Sequence, residues 1–270
     1  MKFDYNIRDV VDYINWDYFF YAWGMHGKPH AVRQALLQEA KETLASLDGK
    51  YRTHALFELC YAYSDGDDVV LPQKSITIPF LRQQQPGSDF LCLADFISPH
   101  STTSPPLTSM LGVFATTVDM GLETDFDSDP YQKMMVQLLA DRLAEATAEF
   151  LHEAVRMVHW GYACDETFTI EELHAEKFQG IRPAVGYPSL PDTSVNFLID
   201  QLLNLRQIGI RLTESGAMKP HASVSGLMMA HPQSRYFSLG KIGDDQLRDY
   251  ARRRGLPLEV MRKFLAANLS

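Results

Sequence analysis

Leu111-Gly112-Val113-Phe114-Ala115-Thr116-Thr117-Val118 and the later run Pro130–Val158, PYQKMMVQLLADRLAEATAEFLHEAVRMV, decide the fold class between them. The first is a short apolar run of strand length. In the second, Met134, Leu138, Leu139, Leu143, Ala146, Phe150, Ala154 and Val158 recur at helical spacing and define one apolar stripe, which Trp160-Gly161-Tyr162 ends. Glu123, Asp125, Asp127 and Asp129 precede Pro130, where acids favour the positive end of the helix dipole.

Upstream of the first run lie further strand candidates. Ala55-Leu56-Phe57 and Val69-Val70-Leu71 flank the turn signal Ser64-Asp65-Gly66-Asp67-Asp68. Ser75 to Phe80 alternates, and Phe90 to Ile97 is another short apolar run. Ser101 to Pro106 reads as a polar, proline-containing loop. Residues 6–24 are expected to form one very aromatic helix ended by Gly24 and Gly27, and 30–47 a second helix. Downstream, Thr169-Ile170-Glu171-Glu172 is a capping box for a short helix ending at Gly180. Residues 194–207 read as a helix. Leu212 and the alternating Ala222 to Met229 read as strands, and Arg235 to Leu239 as a hairpin strand across His231-Pro232-Gln233-Ser234. Residues 244–254 and 257–268 read as two terminal helices. Strands fall in two blocks separated by helices, without a βαβ rhythm. The expectation is therefore α+β, a twisted, mainly antiparallel sheet flanked by helices. No repeat or linker divides the chain, so residues 1–270 read as one domain.

With 46% apolar residues the chain can build a large core, and a net charge of −9 argues against nucleic acid as a partner. Cys60, Cys92 and Cys164 are too scattered for a disulfide framework or a zinc site and read as reduced thiols of a cytoplasmic protein. No signal peptide and no membrane span are expected. No P-loop, GxGxxG, GxSxG or HExxH is present. The nine histidines lack metal-ligand spacing and read as surface residues or makers of single structural hydrogen bonds, so no metal is expected.

What carries chemistry is Arg182-Pro183-Ala184-Val185-Gly186-Tyr187-Pro188-Ser189-Leu190-Pro191-Asp192. Three prolines and a glycine in eleven residues make it a stiff, shaped loop. A fixed guanidinium and phenol suit a small anionic or zwitterionic ligand. Glu145, beside the apolar stripe, is a candidate for a ligand ammonium, with Tyr187 and Tyr236 as further wall residues.

The loop resembles the Arg-x-x-x-Gly-Tyr-Pro signature of the activation domain of cobalamin-dependent methionine synthase, and the resemblance runs along most of the chain. Its carriers include Asn15-Trp16-Asp17-Tyr18-Phe19-Phe20, Ala140-Asp141-Arg142-Leu143-Ala144-Glu145-Ala146, Val158-His159-Trp160-Gly161-Tyr162, Gly180-Ile181-Arg182-Pro183-Ala184, Ala222-Ser223-Val224-Ser225-Gly226 and Asp249-Tyr250-Ala251-Arg252-Arg253. It implies a single C-shaped domain that binds S-adenosylmethionine (AdoMet) and supports reductive methylation of the cobalamin carried by a partner module. An electron would come from a flavodoxin-like donor, for which the basic face of Arg248, Arg252, Arg253, Arg254, Arg262 and Lys263 offers a contact. Cobalt, not a side chain, is the nucleophile, so no catalytic residue is expected.

Carried over position by position, Glu145, Arg182, Tyr187 and Tyr236 match the AdoMet-binding residues. Ala184 would turn its backbone to the ligand, and Asp141 and Tyr187 would meet the cobalamin module. Asn15 stands where the family has Asp, Thr193 follows Pro191-Asp192 where it has His, and Leu227-Met228-Met229 replace its aromatics. Because the sequence opens at Met1 and holds this one pattern, we expect a free-standing protein acting in trans, or an excised domain. The alternatives are a reactivation partner of another corrinoid methyltransferase and a docking protein that no longer binds AdoMet.

Overall fold

The structure is a computed structural model that describes residues 1–100 and 109–269. The loop expected at Ser101–Pro106 lies outside the described residues. Four strands form the central sheet: β1 (Lys2–Asn6), β2 (Arg52–Tyr61), β6 (Met110–Val118) and β9 (Ser223–Met228), in the order β1-β2-β6-β9, every pair antiparallel. β3 (Tyr63–Asp65), β4 (Asp68–Leu71) and β5 (Ile76–Pro79) form a second antiparallel sheet, with Gly66 supplying the positive φ in the β3–β4 turn. β7 (Arg211–Leu212) and β8 (Met218–Lys219) make a small ribbon.

The run at 111–118 is buried throughout because β6 is covered on both faces. Phe114 and Val118 join the core beneath α5 (Pro130–Ala154), where Leu139, Leu143 and Leu151 are buried, and the Thr116 hydroxyl donates to the Ala144 carbonyl at 2.9 Å. Leu111, Val113 and Ala115 face the other core, with Val195, Ile199 and Leu202 of α7 (Val195–Leu203). The two faces thus alternate at the strand's period of two. α3 (His30–Leu47) adds Leu36, Ala40, Leu44 and Leu47 to the α5 core. α8 (Asp244–Arg254) and α9 (Leu258–Phe264) close a third core around Tyr250 and Met261. Among the described residues no helix is long and apolar enough to cross a membrane.

Several elements differ from expectation. Residues 6–24 are not one helix. Lys2–Asn6 pair with β2 as an edge strand, α1 (Ile7–Val10) and a short 3-10 turn follow, and Asn15 restarts the chain as N-cap of α2 (Trp16–Ala22), its side chain accepting the Asp17 N–H at 3.1 Å. Phe90–Ile97 is a 3-10 turn at Leu93–Phe96, because the Asp95 carboxylate accepts the Cys92 N–H at 2.9 Å and draws the chain out of extension. Burial pushes the Asp95 acid up, but two hydrogen bonds from Arg82 and the Cys92 amide outweigh it and hold the group below its usual value. The helix at 194–207 ends at Leu203, where Asn204 turns left-handed and a 3-10 turn takes over. Arg235–Leu239 pairs with no strand among the described residues: the Leu239 N–H bonds to the Pro188 carbonyl at 2.9 Å, so the segment closes on the Arg182 loop.

The arginines of the terminal helices form ion pairs within the molecule, with Arg248 and Arg252 keeping most of their side chains exposed. Arg248 and Arg262 pair with Asp244, Arg252 with Asp249, Arg253 with Asp68 and Asp249, and Arg254 with Ser194 and Asp192.

His152 also departs from the surface role expected of it. It is wholly buried on α5 and neither ring nitrogen has a hydrogen-bond partner. Burial, with Arg156 and Arg182 nearby, holds its pKa well below the ordinary value. The unfolded chain takes up a proton near pH ~6.5 and the folded chain does not, so stability is full above that pH and falls as the pH drops. Urea titrations at pH about 7.5 and about 5.5 are expected to show a total loss of roughly 1.4 kcal/mol attributable to this residue, most of it below pH ~6.5. The His152→Met variant is expected to lose correspondingly less over the same interval.

Candidate functional site

The Arg182 loop is fixed before its side chains are considered. Ile181 and Met229 exchange backbone hydrogen bonds at 2.9 and 3.0 Å, Leu227 donates to Pro183 at 3.0 Å, and Val185 donates to Ser225 at 2.9 Å. The first half of the loop therefore runs beside β9 as an irregular extension of the central sheet. Gly186, at φ 90°, then turns the chain, and the N–H groups of Gly186 and Leu190 close a tight loop onto Leu190 and Tyr187. At its far end Asp192 is buried and accepts from the Tyr250 and Ser194 hydroxyls, each at 2.8 Å.

Between this loop and α5 lies a cavity of about 680 Å³, well within the range of small-molecule sites. Asn15, Glu145, Arg182, Ala184, Tyr187 and Tyr236, the residues expected from sequence, all line it. Asp141 stands one helical turn before Glu145, outside the lining. Burial raises its pKa; Arg142 and His221 oppose the shift, and Glu145 and Glu123 add to it.

The charges are arranged in pairs across the gap. Arg182, only 14% exposed at its side chain, donates from Nη1 and Nη2 to Glu149 Oε2 at 3.3 and 3.2 Å. Its backbone N–H donates to the Tyr236 hydroxyl at 2.8 Å. Tyr187, half-exposed at the mouth, donates its hydroxyl to Glu145 Oε1 at 2.5 Å. Burial and that carboxylate push the phenol far above its ordinary value, so it remains a neutral donor. Because Tyr187 is half-exposed, removal of this bond in Tyr187→Phe is expected to cost only about 0.5–1 kcal/mol, readable as a small shift of the urea midpoint.

Sequence reasoning missed Glu149. It is buried, its Oε1 has no partner, and its other oxygen holds Arg182. The available signal was its spacing: Glu145 and Glu149 are one turn apart on a helix face that otherwise runs into the core. Phe178 and Glu176, also missed, form part of the far wall, and Glu176 holds a left-handed φ of 54°. Ala146, Val224 and Phe178 supply apolar lining. Two guanidiniums, the enclosed Arg182 and Arg142 beside Tyr18, with carboxylates, phenols and an apolar pocket suit a small zwitterion bearing an apolar or aromatic group. Arg182 retains guanidinium donors beyond the two given to Glu149. Among the described residues no cluster of His, Cys, Asp and Glu gathers as for a metal.

The crystal structure of the MetH reactivation domain bound to AdoHcy (S-adenosylhomocysteine) is similar to this chain, with a TM-score of 0.90 and 36% identity, covering 100% of this chain and 90% of that one. Residues 6–255 match the sequence model of the family described as the vitamin B12 dependent methionine synthase, activation domain. With nearly its whole length accounted for by that match, the chain belongs to the family of activation domains of vitamin B12 dependent methionine synthases.

Proposed function

We propose that this chain binds AdoMet in the cavity between α5 and the Arg182 loop and, acting in trans in the cytoplasm, presents its methyl group for reductive methylation of the cobalamin of a methionine synthase. The observation that carries the reading is the opposition of the mostly enclosed Arg182 to the carboxylates of Glu149 and Glu145 across that cavity, in a chain similar to a domain solved with AdoHcy. AdoHcy is what AdoMet becomes when its methyl group leaves.

In this reading the remaining donors of Arg182 take the carboxylate of the ligand. Glu145, or the unpartnered oxygen of Glu149, takes its ammonium. The backbone of Ala184 and the hydroxyl of Tyr236 face the ligand. Ala146, Val224 and Phe178 receive its apolar part. Asn15 contributes an amide where an anion is expected. Tyr187 at the mouth and Asp141 on α5 face the incoming module. The cobalamin of that module supplies the cobalt nucleophile, after one electron from a flavodoxin-like donor. The residues of this chain bind the donor, orient its sulfonium and exclude water, which is catalysis by proximity.

The test adds the purified chain to a methionine synthase that lacks its own activation module and holds oxidised cobalamin, with reduced flavodoxin and AdoMet labelled in its methyl group. Recovery of turnover with label reaching methionine is the expected result. AdoHcy binding without recovery would redirect the search to another corrinoid methyltransferase. Absence of both would overturn the reading.

A further inference from the structure

Phe178 forms one wall of the cavity and is itself almost fully buried. Behind it lies a charged cluster that does not line the cavity. Arg156, in the π-helical turn Val155–His159 that follows α5, has no exposed surface. Its Nε and Nη2 donate to the Glu166 carboxylate at 2.8 and 2.5 Å, and the Glu166 side chain is itself 3% exposed. The guanidinium carbon of Arg156 sits 4.0 Å from the centroid of the Phe178 ring. His152 meets the same ring edge-on, with centroids 5.0 Å apart and planes at 88°.

A buried ion pair is poor evidence for stabilisation, since apolar residues of similar volume often do as well. This pair does have a geometric consequence. Glu166 holds the guanidinium flat, and the flat guanidinium holds an aromatic ring by its face, which an ammonium cannot do in the same way. The ring stands four residues before Arg182. The intervening backbone is tight: Gly180 sits at φ 93°, where a Cβ would lie 2.6 Å from the Met229 carbonyl oxygen, and Ile181 is paired to Met229. A displaced Phe178 would thus shift both the cavity wall and the segment that carries Arg182.

We propose that Arg156 and Glu166 are positioning residues for the ligand site: by clamping the back of the Phe178 ring they set the far wall of the cavity and the approach of Arg182. This rests on the cavity being the AdoMet site.

The test compares the parent with the double variant Arg156→Met/Glu166→Leu and with Arg156→Lys. Melting temperature and AdoHcy affinity by calorimetry are measured for each. Fluorine NMR is recorded with 4-fluorophenylalanine placed at position 178. The double variant is expected to melt near the parent temperature, with a shifted and broadened fluorine resonance and an AdoHcy affinity weakened by about tenfold or more. Arg156→Lys keeps the charge but not the plane and is expected to show the same changes in smaller degree. It carries the test if the double variant fails to fold. An unchanged resonance with affinity within about twofold of the parent would overturn the proposal. If the parent itself binds no AdoHcy, the function reading fails, and the fluorine resonance alone decides whether the pair positions Phe178.

Discussion

Arg182→Ala is expected to abolish measurable AdoHcy binding and to lower stability at the same time. Both losses come from one fact: the guanidinium is mostly enclosed, with 14% of its side chain exposed, and pairs with the buried Glu149 carboxylate. Truncation leaves Glu149 without a partner on either oxygen, since Oε1 has none to begin with. Removing one member of such a pair costs about 3–5 kcal/mol, part of which is recovered if the stranded carboxyl takes up a proton. The ligand loses charge-assisted hydrogen bonds worth about 1.5–3 kcal/mol each, so an affinity loss of roughly 100-fold or more follows. The two effects separate in the double variant Arg182→Leu/Glu149→Leu, which removes the stranded charge. Its melting temperature is expected to recover and its affinity not to. Arg182→Lys restores a point charge with fewer donors and should bind detectably but weakly. Calorimetry with AdoHcy beside a thermal melt checks all three. Parental affinity in Arg182→Ala would remove Arg182 from the ligand site, and with it the reading of the loop as a carboxylate clamp.

The loop that carries Arg182 was legible because its prolines restrict the backbone whatever surrounds them, and the structure keeps it stiff, anchored at Ile181 and at Asp192. The strand at 111–118 was legible as an apolar run of strand length, and the helix from 130 because its apolar residues keep one period over enough residues. The Thr169 box was legible because its bonds are local: the Glu172 N–H to the Thr169 hydroxyl at 3.3 Å and the Thr169 N–H to the Glu172 carboxylate at 3.1 Å. The readings that failed depended on distant partners. Lys2–Asn6 is a strand because β2, some 50 residues on, offers an edge to pair with. Phe90–Ile97 turns because Asp95 accepts the Cys92 N–H while Arg82, 13 residues back, holds that carboxylate in place. Glu149 looks like one more solvated acid on a long helix until Arg182, 33 residues later, is folded against it. Arg156 and Glu166, only 10 apart, were invisible for another reason: nothing in the spacing says that a π turn will bury the arginine.

Gly226→Ala is expected to be strongly damaging, since among the described glycines an added Cβ comes nearest to backbone there. Gly226 lies in β9 opposite Ala184, where the Arg182 loop crosses against the sheet. A Cβ there would sit 2.3 Å from the Pro183 carbonyl oxygen, 2.9 Å from Ala184 Cα and 2.9 Å from the Phe114 ring. Two of those three neighbours are backbone, and that backbone is held in place: Pro183 accepts from Leu227 and Val185 donates to Ser225 on either side of the clash. Neither side can move without breaking a sheet hydrogen bond, because β9 is paired along its length to β6. The loop must therefore lift, and Arg182, Ala184 and Tyr187 lift with it. Overpacking of this kind costs about 1–3 kcal/mol and occasionally more, which for a chain of this size lowers the melting temperature by roughly 2–5 °C. The effect on the ligand is expected to exceed the effect on the fold, since a misplacement of about 1 Å can cost about 100-fold where several groups must converge on one small molecule. A melt and an AdoHcy titration of the same sample give both quantities. A variant that melts several degrees lower but binds as the parent does would mean that the loop reaches the ligand from a position the sheet does not set.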